Sequence, residues 1–251
     1  MVHVTAQERY SARVAMSEED IASAQRLRHS VFIQRGAGRG GDGDRDIDRF
    51  DPICTHMLIE DQRTGGVVAT FRILQMASGL EVGKSYSAQF YGLNGLSRFP
   101  FPMAELGRFC VAGDTQDPEV LRVAWGALAG YVDHEGIALL FGCSSFSGTD
   151  ERAYDDAFAM LRDQHLAPRE FQPEIKSAKV FQYAERLRRA PDRARALRTM
   201  PPLLRSYLAM GGWVSDHAVV DEDMNTLHVF TGLEIARIPP ARARVLRATA
   251  G

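Results

Sequence analysis

An apolar segment in the middle of the chain carries two charged side chains that could do chemistry. Residues 104–111 read AELGRFCV, the pattern of a buried strand that contains Glu105 and Arg108. Burying a charged group costs several kcal/mol unless it has a partner or a catalytic task. On a regular strand, residues three apart point to opposite faces. We therefore predict a β-bulge at Gly107, which would bring both charges to one face.

A bulged strand of this kind suits the binding of an acyl thioester. The bulge frees backbone N–H groups that can hold a carbonyl and its developing oxyanion. A nearby carboxylate can deprotonate an attacking amine, directly or through water. We expect the acyl donor to contact Phe109, Cys110 and Val111. The alternative is an internal Glu105–Arg108 salt bridge that only holds the sheet together, and on these residues alone it is the simpler interpretation.

A second group of candidate residues is acidic. Residues 42–51 contain five aspartates, and Asp46, Asp48 and Asp51 are tied to the core by the apolar residues that follow them. The run does not fit a calcium-binding EF-hand loop, because it lacks glycine at the sixth position and glutamate at the twelfth. We predict no metal site. Carboxylates held against a folded surface can instead bind an ammonium group.

Three further polar residues are candidates for the site. Arg72 is a lone charge in the predicted strand 67–76, where it is either an edge residue that faces water or a cation that faces a ligand. Ser144 and Ser145 lie in residues 142–149, which we predict to be a polar loop at the carboxyl end of a short buried strand.

Composition excludes several classes of protein. The chain has 251 residues, a formal net charge of -2 and 45% hydrophobic residues, which fits a globular protein rather than a polyelectrolyte binder. It has three cysteines and no CxxC pair, which favours small buried thiols in a reducing compartment. The N-terminus lacks a signal-peptide pattern, and no apolar run approaches the ~20 residues of a membrane span. We expect a cytoplasmic protein, with peripheral association with the inner membrane left open.

The elements that must position these residues follow from periodicity and capping. Residues 103–141 predict a strand, a helix that starts after an Asp117 N-cap, and a second strand, which together form a βαβ unit. The predicted fold is α/β, with one domain over residues 1–251, a mixed central sheet flanked by helices, and an arginine-rich helical insertion at about 176–212. The other predicted elements are strands at 9–16, 55–60, 67–76, 213–220 and 226–235, helices at 18–34, 151–164 and 203–210, and short helical turns at 85–98.

Several ordered blocks resemble one family. Residues 105–111 (ELGRFCV) resemble the E-L-G-R-x-C-V strand of the ornithine acyltransferases that make lyso-ornithine lipid. These enzymes are GNAT-like and related in fold to the acyl-homoserine-lactone synthases. Residues 46–56 resemble the family's D-x-D-x-F-D-x-x-C-x-H block, and Gln89 stands where the family's segment has an acid. Further similar blocks are residues 68–74, 85–90, 141–146 and 201–208.

The resemblance implies a reaction and a set of roles. A fatty acyl group, often 3-hydroxylated, would pass from acyl carrier protein to the α-amino group of ornithine. Glu105 would be the general base, and Arg108 would orient it or contact the substrate or thioester. No bound cofactor is implied, since the acyl donor is the acyl-phosphopantetheine of the carrier protein. The implied substrate-binding residues are Asp46, Asp48, Asp51, His56, Arg72, Ser144 and Ser145.

The loop after the bulged strand bears on the identity of the donor. GNAT enzymes that use acetyl-CoA place a glycine-rich loop there, whose amides bind pyrophosphate at a helix N-terminus. Here residues 112–117 have one glycine and two acids, which suits a pyrophosphate poorly and favours acyl carrier protein. Carrier proteins are acidic, so the arginines within 186–205 and 237–247 are candidates for a docking surface. The same arginines are alternatively a solvated face or a site for anionic membrane lipids.

Other functions remain to be separated from this one. Within the family, the acceptor could be another amino acid such as glutamine. An acyl-homoserine-lactone synthase that uses S-adenosylmethionine is a second alternative. A third is a non-catalytic protein that binds a membrane surface through its arginines. Nucleic-acid binding is disfavoured, because the arginine-rich segments contain few aromatic residues and the net charge is slightly negative.

Overall fold

The computed structural model describes residues 9–34, 43–115 and 117–249. Over these residues it has ten strands and seven α-helices, together with short 3-10 segments and a π-helical turn at His29–Gln34. The strands are β1 Tyr10–Val14, β2 Thr55–Asp61, β3 Gly66–Met76, β4 Tyr91–Gly92, β5 Met103–Val111, β6 Leu139–Ser147, β7 Glu174–Ile175, β8 Val180–Phe181, β9 Trp213–Asp221 and β10 Thr226–Glu234. The helices are α1 Glu18–Arg28, α2 Pro118–His134, α3 Asp155–Gln164, α4 Tyr183–Arg186, α5 Arg193–Thr199, α6 Pro202–Ala209 and α7 Pro240–Thr249.

One mixed sheet organises these elements. Eight strands pair in the order β1-β2-β3-β5-β6-β10-β9-β8. Strands β5 and β6 are parallel and joined by α2, whereas the other pairs of this sheet are antiparallel. The predicted α/β fold with a mixed sheet flanked by helices is therefore confirmed, and so is the βαβ unit. Strands β4 and β7 form a separate two-stranded ladder.

The two faces of the sheet have different covers. On one face, which we call the α2 face, Ala104 and Leu106 of β5 pack with α2, and Phe146 and Val229 pack with α3. The opposite face, which we call the α1 face, carries Leu74 and Phe141 and is covered by α1 and residues 79–99. Because side chains alternate along a strand, Glu105 points to the α1 face. None of the described helices is long and apolar enough to cross a bilayer.

Strands β5 and β6 separate at the centre of the sheet. They pair only from Met103 with Leu139 to Glu105 with Phe141, although β5 runs on to Val111 and β6 to Ser147. The predicted loop at 142–149 was therefore wrong for residues 142–147, which continue the strand. This part of the strand borders an open space and not a packed strand, so its side chains are small and polar. That composition suggested a loop.

The bulge in β5 lies one residue later than predicted. The pairing between β3 and β5 is regular up to Arg72 with Gly107 and resumes at Thr70 with Cys110, so Arg108 and Phe109 together face one residue of β3. Arg108 itself takes the left-handed conformation, with φ of 52°. The prediction of a bulge at Gly107 was wrong in position, but its geometric consequence is present. Arg108 and Glu105 both project to the α1 face, while Phe109 stacks on Phe71 on the α2 face.

A glycine fixes the point at which the two strands separate. A Cβ atom added to Gly142 would lie 2.3 Å from the backbone oxygen of Leu106. We predict that Gly142→Ala lowers the free energy of unfolding by about 2 kcal/mol, because two central strands would have to move apart. Urea denaturation measures this. Gly83→Ala is the matched control, since its added Cβ meets nothing within 4 Å, and equal effects of the two changes would contradict the prediction.

Candidate active site

A cavity of about 850 Å³ occupies the gap between β5 and β6. On the α1 face it is bordered by Glu105, Tyr86 and Cys143, and on the α2 face by Leu204 and Tyr207. The cavity therefore passes through the sheet from one face to the other. The sequence-predicted site residues that line it are Arg72, Glu105, Arg108, Phe109, Cys110, Val111, Ser144 and Ser145.

Glu105 lies at the apex of this gap and is held by a local N–H cradle. Its Oε1 accepts hydrogen bonds from the backbone N–H of Ser87 (2.7 Å) and the Ser87 hydroxyl (2.6 Å), and its Oε2 accepts one from the N–H of Tyr86 (2.7 Å). The side chain is 4% exposed. Burial raises the pKa of Glu105, and the hydrogen bonds from Ser87 oppose that rise only in part. A buried carboxylate with a raised pKa is a stronger base than one in water.

Arg108 borders the same side of the cavity but does not pair with Glu105. Its guanidinium forms ion pairs with Asp46 (3.1 Å) and Asp48 (3.3 Å), and it lies 5.3 Å from the ring centroid of Tyr86. Since Glu105 has no ion pair within the described ranges, the simple interpretation of a Glu105–Arg108 salt bridge was wrong. The Glu105 carboxylate thus forms no ion pair among these residues, although the charge of Arg72 nearby partly opposes the rise of its pKa.

The predicted acidic residues lie behind the cavity, where they pair with arginines. Asp51 is bound by Arg28 (2.8 Å) and Arg72 (2.7 Å), and Asp48 is bound by Arg72 (2.6 Å). Burial alone would raise the pKa values of Asp48 and Asp51, but hydrogen bonds and charge from the arginines lower both. Neither these aspartates nor Asp46 lines the cavity. Their role as ligands of an ammonium group stays a prediction.

Arg72 and His56 are both buried against the acidic group. Arg72 is 3% exposed on an interior strand, so the interpretation of Arg72 as an edge residue was wrong. His56 Nε2 donates a hydrogen bond to the backbone carbonyl of Asp51 (3.0 Å), and His56 does not line the cavity. Burial lowers the pKa of His56, which keeps the ring neutral. This arrangement fits a structural histidine, and a substrate contact by His56 stays a prediction.

The remaining predicted residues divide between the two faces. Ser144 is buried on the α2 face, where its hydroxyl accepts a hydrogen bond from Thr231 (2.9 Å), whereas Ser145 is exposed on the α1 face. The thiol of Cys110 is 4% exposed, and burial raises its pKa to about 12. Burial likewise raises the pKa of Cys143. Thiols of this kind are poor nucleophiles at neutral pH.

Sequence reasoning missed several residues that shape the site. Ser87, which supplies two hydrogen bonds to Glu105, was noted only as part of a similar block, and a serine that binds a distant carboxylate has no local sequence signal. Asp221 and His228 also line the cavity. They belong to the β9–β10 hairpin, which reaches the site only because β10 pairs with β6.

The group of aspartates and arginines predicts how stability depends on pH. Because the folded-state pKa of Asp51 is lowered, its contribution to stability is present above the unfolded pKa of about 3.9 and is lost as the pH falls below it. We expect Asp51→Asn to lower the free energy of unfolding at pH 7 by about 3 kcal/mol. Its stability should also fall less steeply than that of the wild type between about pH 5 and pH 3.

Denaturant unfolding at a series of pH values checks this. Asp44→Asn is the control, since Asp44 is an exposed acid of the same segment. A pH dependence of Asp51→Asn that is identical to the wild type would contradict the assignment.

Comparison with known proteins indicates an acyltransferase. Residues 27–126 match the family model of the acetyltransferase (GNAT) domain. The chain is 36% identical over 230 residues to the L-ornithine N(alpha)-acyltransferase of Rhodobacter capsulatus, with 88% of each chain covered. It is 31% identical over 241 residues to the enzyme of that name from Rhizobium meliloti, with 90% of this chain and 80% of the relative covered.

Solved structures show the same fold. The CoA-dependent acyl-homoserine lactone synthase BjaI, with SAM and isopentyl-CoA, matches with a TM-score of 0.50 and 16% identity over 96% of this chain and 89% of that one. At this identity the likeness concerns the fold alone. The identity to the curated relatives over nearly nine-tenths of the sequence shows more: this chain is an acyltransferase that belongs to the L-ornithine N(alpha)-acyltransferase family.

Proposed function

We propose that this acyltransferase moves a fatty acyl group, often 3-hydroxylated, from acyl carrier protein to the α-amino group of ornithine and so makes lyso-ornithine lipid. One observation carries the proposal. A buried carboxylate without a cation, Glu105, lies at the apex of a cavity that connects the two faces of the sheet. An amine that enters from the α1 face and a thioester in the gap would meet beside it.

The proposed chemistry needs one base and one site for an oxyanion. The α-amine nitrogen attacks the thioester carbonyl, and its proton passes to Glu105 directly or through a water. Backbone N–H groups at the Arg108–Phe109 bulge hold the developing oxyanion. The tetrahedral intermediate collapses and the C–S bond breaks, and the proton taken up by Glu105 passes to the leaving thiolate, which restores the base. Arg108 is placed to bind the carboxylate of the acceptor, since its guanidinium borders the cavity on the α1 face.

The donor fits the gap itself. Beyond Glu105 and Phe141, the facing edges of β5 and β6 have no strand partner, so their backbone N–H and C=O groups are available to the amides of a phosphopantetheine arm. The predicted donor contacts Phe109, Cys110 and Val111 lie along one of these edges. Apolar side chains on the α2 face, such as Leu121 and Leu204, would receive the acyl chain.

One arginine of the arginine-rich segment lines the cavity, which supports docking of an acidic carrier protein beside it. Arg198 of α5 lines the cavity, and Arg193 is exposed on the same helix. Arg189 and Arg195 pair with Asp156 and are therefore less available to bind a carrier protein. We assign the second basic segment, helix α7, to an anionic membrane surface, although Arg247 there pairs with Asp133.

Removal of the proposed base tests the function. Expressed in a bacterial host that lacks aminolipids, the wild-type chain should produce a lyso-aminolipid whose fragments identify ornithine by mass spectrometry. Glu105→Gln keeps the size of the side chain and one of its acceptor oxygens but removes the base, so we expect acyl transfer to fall by about 10²- to 10⁴-fold. An assay with purified protein, acylated acyl carrier protein and ornithine measures the rate of transfer.

The control is Glu170→Gln, which changes an exposed glutamate outside the cavity lining and should leave the rate unchanged. Transfer by a folded Glu105→Gln variant at the wild-type rate would refute the assignment of the base. A product with a glutamine head group would show that the acceptor is glutamine and not ornithine. The absence of any aminolipid would favour a binding protein.

Charge reversal tests the docking surface. We expect Arg193→Glu to raise the KM for acyl carrier protein about fivefold, because a like charge then meets an acidic partner. The effect should shrink at high salt and be smaller with acyl-pantetheine as donor. Arg98→Glu, an exposed arginine in the cover of the α1 face, is the control. Equal effects of Arg193→Glu on both donors would contradict docking at this surface.

A further inference from the structure

A second carboxylate that lines the cavity, Asp221, forms no ion pair with any described residue. The charged side chains that line the cavity are Arg72, Glu105, Arg108, Asp117, Arg198 and Asp221. Arg72 and Arg108 pair with the aspartates behind them, and Asp117 pairs with Arg9. Asp221 is only 9% exposed, yet no cation of the described residues lies within ion-pair distance. A buried carboxylate without a cation is costly unless a ligand supplies the charge.

Asp221 belongs to the same side of the cavity as Glu105. It ends β9, and the alternation along that strand places it with Val219 on the α1 face. Its negative charge adds to burial in raising the pKa values of Tyr86 and Cys143. The backbone N–H of Tyr86 also binds Glu105. The two carboxylates thus flank one portion of the cavity.

His228 provides an independent observation at the same end. It lines the cavity and is a diagonal neighbour of Asp221 across the β9–β10 pair. The Tyr91 hydroxyl donates to the backbone carbonyl of His228 (2.7 Å), so the 3.1 Å contact with Nδ1 requires that Nδ1 be the donor. In that tautomer Nε2 is an acceptor, and it is buried without a partner among the residues described. The polar end of His228 next to Asp221 therefore lacks a donor in the structure.

We propose that Asp221, with His228 beside it, binds the side-chain ammonium of the acceptor and thereby selects a dibasic amino acid. This assignment rests on the proposed function. A dibasic amino acid has two amines and one carboxylate, which match two carboxylates without cations, Glu105 and Asp221, and the guanidinium of Arg108. The alternative role of Asp221 is to hold the β9–β10 turn, where its Oδ1 accepts a hydrogen bond from the N–H of Met224 (3.0 Å).

Asp221→Asn separates these roles, because an asparagine keeps the Oδ1 acceptor and loses the charge. The acceptors are ornithine and norvaline, which has the same carbon chain without the second amine. For Asp221→Asn we expect the KM for ornithine to rise about tenfold or more with little change in kcat. The reason is that the lost contact stabilises the bound substrate and the transition state equally. The kcat/KM for norvaline should change less than about twofold, which also shows that the variant is folded.

Two further variants sharpen the test. Asp221→Glu restores the charge one methylene deeper in the cavity, so selectivity should return and shift toward 2,4-diaminobutyrate. Asp223→Asn, an exposed acid of the same turn, should behave as wild type. If Asp221→Asn keeps the wild-type ratio of ornithine to norvaline, Asp221 is only a turn residue. If the wild type itself does not acylate ornithine, the proposed function fails and this assignment fails with it.

Discussion

The structure depends on an interruption of backbone pairing between β5 and β6. Neighbouring strands in the centre of a sheet normally satisfy each other's N–H and C=O groups along their whole length. Here the shared ladder ends at Glu105 and Phe141, and both strands continue without each other. Strand β5 remains held by β3 on its other edge, and β6 by β10. The gap is thus stabilised from both sides, and it leaves two rows of polar backbone groups for a ligand.

A balanced group of charges fixes the wall of this gap. Three aspartates from residues 46–51 and three arginines from different elements neutralise one another within a buried volume. Gly107 lies opposite Arg72, and a Cβ there would make van der Waals contact with the Arg72 side chain, 3.6 Å from Nε. Ion pairs this deep contribute little net stability over apolar packing. Their effect is to hold Arg72 and Arg108 in fixed positions.

The sequence was sufficient for the parts that depend on local pattern. The β5–α2–β6 unit, the β2–β3 hairpin and the Asp117 cap follow from periodicity and capping chemistry. A bulge in β5 follows because Glu105 and Arg108 would point to opposite faces of a regular strand. The parts that were missed depend on contacts distant in sequence. Serine-rich residues 142–147 form a strand because β10 pairs with them, and Asp221 enters the cavity by that same pairing. The aspartates were predicted to face a substrate, whereas arginines that are remote in sequence surround them.

The way the gap closes bears on how a product leaves. Over the residues that the structure describes, paired strands close it at one end only, at Glu105 and Phe141, while Thr115, Asp117, Met224 and Asn225 line it elsewhere. In the described part of the chain it is a slot and not a ring. On the proposed function, the product has its head group on one face of the sheet and its acyl chain on the other. A molecule in a ring would have to be threaded back past one of its ends, but one in a slot can slide out sideways while every strand keeps its partners.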